Sequence, residues 1–69
     1  MVKLNKVHIL ASFKQSCGQR KGQAYFNALY ETDIELANSI RGTDIDPFYD
    51  DAKVAPFLNK ITKNLLEET

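Results

Sequence analysis

Cysteine and histidine each occur once in this 69-residue chain, and long apolar runs are absent. The lone Cys17 excludes an internal disulfide and favours a reducing compartment, so we expect a cytoplasmic protein. No run approaches the roughly 18 apolar residues of a membrane span, and the N-terminus lacks the apolar core of a signal peptide. We therefore expect no membrane partner.

His8 is the one histidine and Cys17 the one cysteine of the sequence, which limits the possible catalytic and metal sites. The two residues lie on different faces of one predicted helix, so they do not pair as a base and a nucleophile. Two such side chains are also too few for a zinc site. We expect a protein that is not an enzyme and holds no cofactor. Both side chains are expected to be structural, with Cys17 buried as a small apolar residue.

Acidic residues are missing from the first third of the chain. Residues 1–21 contain five basic residues and no acid, and residues 22–52 contain seven acids and one base, although the net charge is zero. The two segments either neutralise each other within the fold or leave a basic surface for phosphates. The candidate residues for an anion or a nucleic acid are Lys14 of the first helix and Arg20 and Lys21 of the Gly18–Gly22 loop, and an ordinary solvated loop is the alternative.

Apolar residues at helical spacing predict helices near residues 4–17, 22–31, 33–41 and 55–66. The fold class is therefore all-α, a small bundle of three to four short helices with a further short turn at Pro47–Asp50. Residues 1–69 form a single domain, and residues 1–3 and 67–69 are expected to fray. The predicted apolar edges are Ile9, Phe13 and Cys17 in the first helix, Phe26, Leu29 and Tyr30 in the second, and Val54, Phe57, Leu58, Ile61 and Leu65 in the last.

Several residues predict where these helices begin and end. Gly18 and Gly42 are expected to end the first and third helices. The run Thr32–Glu35 matches a capping box, with Thr32 as the N-cap of the third helix. Asp44 or Asp46 is expected to cap the next turn, with Pro47 as its first residue. Pro56 is tolerated only in the first turn of the last helix.

The stretch Ile40–Asp51 contains four aspartates, Asp44, Asp46, Asp50 and Asp51, and two adjacent rings, Phe48 and Tyr49. We interpret the aspartates as caps and solvated acids rather than a metal site, because the spacing does not match a calcium-binding loop. One ring is expected to pack on the stripe Val54–Leu58–Ile61 and the other to be exposed. The candidate partner-binding residues are Phe48, Tyr49, Asp50 and Asp51.

A polar and aromatic pattern runs over two separate stretches of the chain. The first stretch reads Arg-x-Gly-Gln-x-x-Phe-Asn-x-Leu, and the second reads Arg-Gly-Thr-x-x-Asp-Pro-Phe-Tyr. The residues that carry it are Arg20, Gly22, Gln23, Phe26, Asn27, Leu29, Arg41, Gly42, Thr43, Asp46, Pro47, Phe48 and Tyr49. This pattern resembles that of a group of small uncharacterised bacterial and bacteriophage proteins. The resemblance covers residues 20–58 and implies a bacterial or phage origin, but it implies no activity.

Four polar residues of this pattern, Gln23, Asn27, Arg41 and Thr43, are not required for helix formation. We predict a hydrogen-bonded brace between the second helix and the Gly42 turn, with Arg41 bridging to Asp46 or Asp50; a polar binding site is the alternative. The predicted function is that of a small protein-interaction protein that binds another protein, with self-association as a further expectation. The alternative is a weak nucleic-acid-associated protein that uses the basic N-terminal third.

Overall fold

The computed structural model describes residues 2–67 and shows four α-helices and one short 3₁₀ helix, with no β-strand in this part of the chain. The predicted all-α class is therefore confirmed. Of the ends expected to fray, residues 1, 68 and 69 lie outside the described part. The helices are α1 (Val2–Ser16), α2 (Lys21–Thr32), α3 (Ile34–Ile40) and α4 (Val54–Glu67), and the 3₁₀ helix is Asp51–Lys53.

Helix α2 is the centre of the bundle and packs against α1, α3, α4 and the 3₁₀ helix. The core residues of α4 are those that its stripe predicts, because Val54, Phe57, Ile61 and Leu65 are buried and Leu58 is half-buried. Pro56 is the third residue of α4, so its missing amide hydrogen falls in the first turn, where no helical acceptor is available. Among the helices of residues 2–67, none has both the length and the apolarity needed to cross a bilayer.

The buried face of α1 is not the predicted one. Leu4, Val7 and Ala11 face the core, whereas Ile9 and Phe13 are exposed and Cys17 lies exposed just after the helix. The helix carries apolar residues on two opposite sides, so its spacing alone does not select the side that packs. The small side chain of Ala11 is completely buried, and small residues let two helix axes approach closely.

The junction between α2 and α3 is a single residue, Asp33, and the predicted capping box is wrong in its first residue. The Asp33 side chain accepts a hydrogen bond from the Leu36 amide at 3.1 Å, while the Asp33 amide donates to the Leu29 carbonyl at 2.7 Å. Thr32 remains in the last turn of α2, where its hydroxyl donates to the Ala28 carbonyl. The aspartate is therefore the N-cap, because the chain leaves helical geometry one residue later than predicted.

Both glycine stops are confirmed by positive φ angles, 102° at Gly18 and 77° at Gly42. The turn after α3 runs from Ile40 to Thr43, and the Thr43 amide donates to the Ile40 carbonyl at 3.0 Å. Arg41 has φ −54° and ψ 128°, so the turn is of type II with Gly42 at the position that requires positive φ. This turn starts the loop that carries Asp46, Phe48 and Tyr49.

Candidate functional site

The loop after α3 is attached to the first turn of α2 by a close approach at Gly22. A Cβ atom added at Gly22 would collide with the Pro47 carbonyl group and lie 2.9 Å from Oδ1 of Asp51. The Gly22 amide donates to the same Asp51 oxygen at 3.0 Å. Glycine at this position therefore lets the backbone of α2 touch the loop, and Asp51 accepts one of the free amides at the start of the helix.

Arg20 strengthens the same attachment. Its Nη2 donates to the Phe48 carbonyl at 2.7 Å, and its Nη1 lies 3.5 Å from Oδ1 of Asp51. The predicted anion site at the start of α2 is thus occupied by a carboxylate of the chain itself. Of the other two residues assigned to that site, Lys14 forms an ion pair with Glu31, and Lys21 is exposed.

The ion pairs of the described residues favour internal neutralisation of the charged segments. Lys3 pairs with Asp33 at 3.4 Å, Lys14 pairs with Glu31, and Arg20 pairs with Asp51. Each of the three joins a base in residues 1–21 to an acid in residues 22–52. The basic first third and the acidic middle of the sequence therefore meet at these three contacts, although exposed pairs of this kind contribute little to stability.

Asp46 and Asp50 accept hydrogen bonds from backbone amides of the loop, as capping residues do. Asp46 accepts the Gly42 amide at 2.7 Å and the Phe48 amide at 2.9 Å, and Asp50 accepts the Ala52 amide at 2.9 Å at the start of the 3₁₀ helix. The expected turn at Pro47–Asp50 is present, with the Asp50 amide donating to the Pro47 carbonyl at 3.1 Å. In residues 2–67, no three histidine, cysteine or acidic side chains are grouped to hold a metal ion.

Three rings form a row that leads from the core to the surface. Phe26 of α2 is buried, Phe48 packs edge-on against it at 5.9 Å between ring centroids, and Tyr49 packs edge-on against Phe48 at 4.8 Å. Tyr49 is 84% exposed. The prediction that one ring packs and the other is exposed is confirmed, and Phe48 packs against the ring of Phe26 at the edge of the core cluster that also contains Phe57 and Ile61.

Arg41 lies over the faces of two rings of α2. Its guanidinium carbon is 5.8 Å from the Phe26 centroid and 5.3 Å from the Tyr30 centroid, which is cation–π geometry. The predicted bridge from Arg41 to Asp46 or Asp50 is not formed. Within residues 2–67 the guanidinium of this exposed residue has no hydrogen bond and no carboxylate partner.

The rest of the predicted polar brace also takes a different form. Asn27 donates to Oε1 of Gln19 at 3.1 Å, which ties α2 to the loop before it, and the Thr43 hydroxyl donates within its own turn to Ile40. The half-buried Gln23 side chain makes no hydrogen bond to another described residue. The Gly42 turn therefore contacts α2 through Arg41, which lies over the Phe26 and Tyr30 rings, and the predicted network of Gln23, Asn27, Arg41 and Thr43 is not formed.

These side chains enclose an open cleft of about 400 Å³ between α2 and the loop. The lining residues are Phe26, Asn27, Tyr30, Arg41, Asp46, Phe48 and Tyr49. All of them except Tyr30 belong to the polar and aromatic pattern of the sequence. Tyr30 was expected on the apolar edge of α2; its place four residues after Phe26 is the signal that puts both rings beneath Arg41.

His8 and Cys17 do not form a site. His8 is exposed on α1, with Nδ1 3.1 Å from the Tyr25 hydroxyl and its ring edge-on to the Tyr25 ring at 5.6 Å. Cys17 is an exposed free thiol, so its predicted burial is wrong. The reason is the rotation of α1, which turns the face that ends at Cys17 away from the core.

A comparison with protein-family models, curated proteins and solved structures finds no match to this chain. The resemblance of residues 20–58 to the bacterial and bacteriophage group stays a prediction. The cleft is therefore interpreted from its own geometry.

Proposed function

We propose that this chain is a non-enzymatic interaction domain that binds another protein through the cleft between α2 and the loop, with Tyr49 as the central contact. The single observation that supports this most is the exposure of the Tyr49 ring, which is 84% accessible while its neighbour Phe48 is packed against Phe26. An exposed ring on a packed base loses little conformational entropy on binding, and tyrosine is enriched among the residues that dominate interface energies.

Arg41 supplies the polar half of the proposed contact. Its guanidinium lies over the Phe26 and Tyr30 rings and has no acid partner among the described residues, so its N–H groups are available to a ligand. A carboxylate of the partner is the group that this fork binds in a bidentate manner. We therefore propose a partner segment that lays an apolar side chain on Tyr49 and directs a carboxylate to Arg41.

Asp50 and Asp51, which follow the two rings in the sequence, are not assigned to partner contact in this proposal. Asp51 is already bound to the Gly22 amide and Arg20, and Asp50 caps the 3₁₀ helix. We assign both to holding the loop in place, and Phe48 to supporting Tyr49. Of the four candidate partner-binding residues, Tyr49 then makes the main contact. A cytoplasmic location and a bacterial or phage origin are parts of the same proposal, based on the lone thiol and on the sequence resemblance.

The test uses matched variants of the chain as bait. Captured host proteins are identified by mass spectrometry for the wild type, Tyr49→Ala, Arg41→Gln and Ile34→Ala, since Ile34 is also an exposed apolar residue but lies on α3 away from the cleft lining. We expect one partner to be lost with Tyr49→Ala and weakened with Arg41→Gln, and to be retained with Ile34→Ala. Equal capture by all four baits would contradict the proposal.

The alternative, a nucleic-acid-associated protein, is weakened by the ion pairs. Lys3, Lys14 and Arg20 each have an acid partner. An acid beside a lysine competes with a phosphate for it and reduces the number of counterions that binding releases. Within the basic N-terminal third this leaves the exposed side chains Lys6 and Lys21, which are too few for a tight, sequence-selective interface.

A further inference from the structure

The outer side of α1 carries an apolar stripe that no part of the described chain covers. Val2 is 83% exposed, Ile9 is 69% exposed and Phe13 is 65% exposed, and the three lie opposite the buried side of Leu4, Val7 and Ala11. Together with Lys6 and Ser16 they follow each other at spacings of four, three, four and three residues. This spacing is that of the seam along which two helices pack by knobs-into-holes contacts.

From this stripe we infer that α1 is a self-association surface, on which a second copy of the chain packs its own α1 in the antiparallel direction. The outer seam is defined as Val2, Lys6, Ile9, Phe13 and Ser16. This surface is separate from the proposed partner cleft, because none of its residues lines that cleft.

Charge decides the direction of packing. Lys6 is the single charged residue of the outer seam, and residues 1–21 contain no acid to offset it. A parallel pair would place the two Lys6 side chains opposite each other, which is repulsive at an apolar interface. An antiparallel pair centred on Ile9 instead places each Lys6 within one residue of the level of Phe13 of the second copy, so that its long side chain can lay the ammonium group on the ring face. Val2 then faces Ser16, and Ile9 faces Ile9.

The charges beside the seam also favour a second copy over an anionic lipid surface. A helix that binds such a surface needs several free cations along its polar margins. On α1, Lys3 pairs with Asp33 and Lys14 pairs with Glu31, so two of the flanking cations already have carboxylate partners. Few free cations therefore remain beside the outer seam, which disfavours an anionic lipid surface.

The length of the helix limits the strength of the association. α1 has 15 residues, so it is about 22 Å long. Two helices of that length packed along one seam bury about 1,000 Å² in total, just below the range of stable specific interfaces. We therefore expect a reversible dimer that forms only at high concentration.

Sedimentation equilibrium measured from about 10 μM to about 1 mM, the range of weak association, tests this inference. The wild-type mass should rise from one chain toward two. Ile9→Glu and Phe13→Lys should weaken the dimer at least about tenfold, as loss of a central interface residue does. Ile34→Glu and Tyr49→Ala should leave it unchanged. Because all four positions are exposed, circular dichroism should show the same helix content in every variant.

Cross-linking tests the direction of packing. In a Cys17→Ser background, Ile9→Cys should form an intermolecular disulfide under mild oxidation, since the two positions meet at the two-fold axis. In the unsubstituted chain the two Cys17 thiols should stay unlinked, because the antiparallel pair separates them by about 24 Å. Efficient Cys17 cross-linking would overturn the antiparallel arrangement.

Three further results would overturn the self-association itself. The first is a wild-type chain that remains monomeric up to the highest concentration. The second is a dimer that Ile9→Glu and Phe13→Lys leave intact. The third is a monomeric chain that binds anionic phospholipid vesicles and loses that binding with Ile9→Glu, which would assign the seam to a membrane surface. None of these results depends on the proposed cleft, because the cleft is tested separately by Tyr49→Ala.

Discussion

The α2 backbone at Gly22 touches the carbonyl group of Pro47, so that no side chain larger than hydrogen fits between them. Two residues that are 25 positions apart in the sequence thereby fix the loop relative to the central helix. Arg20 and Asp51 bind across the same contact, and the cleft with Tyr49 depends on it. The first prediction concerns this contact.

Gly22→Ala should destabilise the fold by about 1–3 kcal/mol or more, because the added methyl group forces either α2 or the Pro47 backbone to move. Urea unfolding measures the change. Lys21→Ala is the matched control, since Lys21 is an exposed neighbour on the same helical turn, and it should change stability by less than about 0.5 kcal/mol. Equal stability of Gly22→Ala and the wild type would show that the loop does not dock at this position in solution.

Gly42→Val should cost about 2 kcal/mol or more, because a β-branched side chain is strained at φ 77°. Gly42→Asn should cost clearly less, since asparagine adopts positive φ more readily than other side chains. Thermal unfolding of the two variants separates strain from simple loss of glycine flexibility. A midpoint unchanged by Gly42→Val would contradict the type II turn.

Asp33→Ala should lower stability by about 1 kcal/mol through loss of the α3 N-cap. Asp33→Asn should recover most of that loss, because an amide oxygen still accepts from the Leu36 amide, although the pairing with Lys3 disappears. Thr32→Ala should have a smaller effect than Asp33→Ala, since the Thr32 hydroxyl bonds only within α2. The reverse order of the two alanine variants in urea unfolding would restore Thr32 as the cap.

Phe48→Ala should destabilise the chain by about 1–3 kcal/mol, less than a completely buried phenylalanine, because Phe48 is half-buried against Phe26. Tyr49→Ala should change stability by no more than about 0.5 kcal/mol, as expected for an exposed residue. Tyr49→Ala should nevertheless reduce partner binding sharply, because Tyr49 makes the main contact in the proposal. Unfolding curves and binding assays of both variants together test whether Phe48 supports the loop and Tyr49 contacts the partner.

Binding to DNA should be weak and should fall steeply as salt rises, because few unpaired cations are available in residues 1–21. Titration of a labelled duplex at two salt concentrations measures this. Glu31→Gln is informative here, since it frees Lys14 from its ion pair and should strengthen the non-specific binding slightly. Tight, sequence-selective binding at physiological salt would favour the nucleic-acid alternative.

Local signals in the sequence were sufficient for much of the fold. Gly18 and Gly42 end helices because glycine adopts positive φ without strain, and that property does not depend on distant residues. Most of the large apolar residues of α4 lie on one side of the helix, so its buried face was predicted from spacing alone. The exposure of one of the two adjacent rings at Phe48 and Tyr49 was likewise predicted, because neighbouring side chains point in different directions.

Contacts between distant segments decided the rest. α1 is apolar on two sides, and only its packing against α2 selected Leu4, Val7 and Ala11 over Ile9 and Phe13.

The close approach of Gly22 to Pro47 and the stacking of Arg41 over Phe26 and Tyr30 join residues far apart in the chain. The spacing of residues in a sequence predicts the faces of one helix at a time. The rings under Arg41 and the backbone beside Gly22 depend instead on where another segment of the chain packs. The cleft and the outer seam are therefore properties of the tertiary structure.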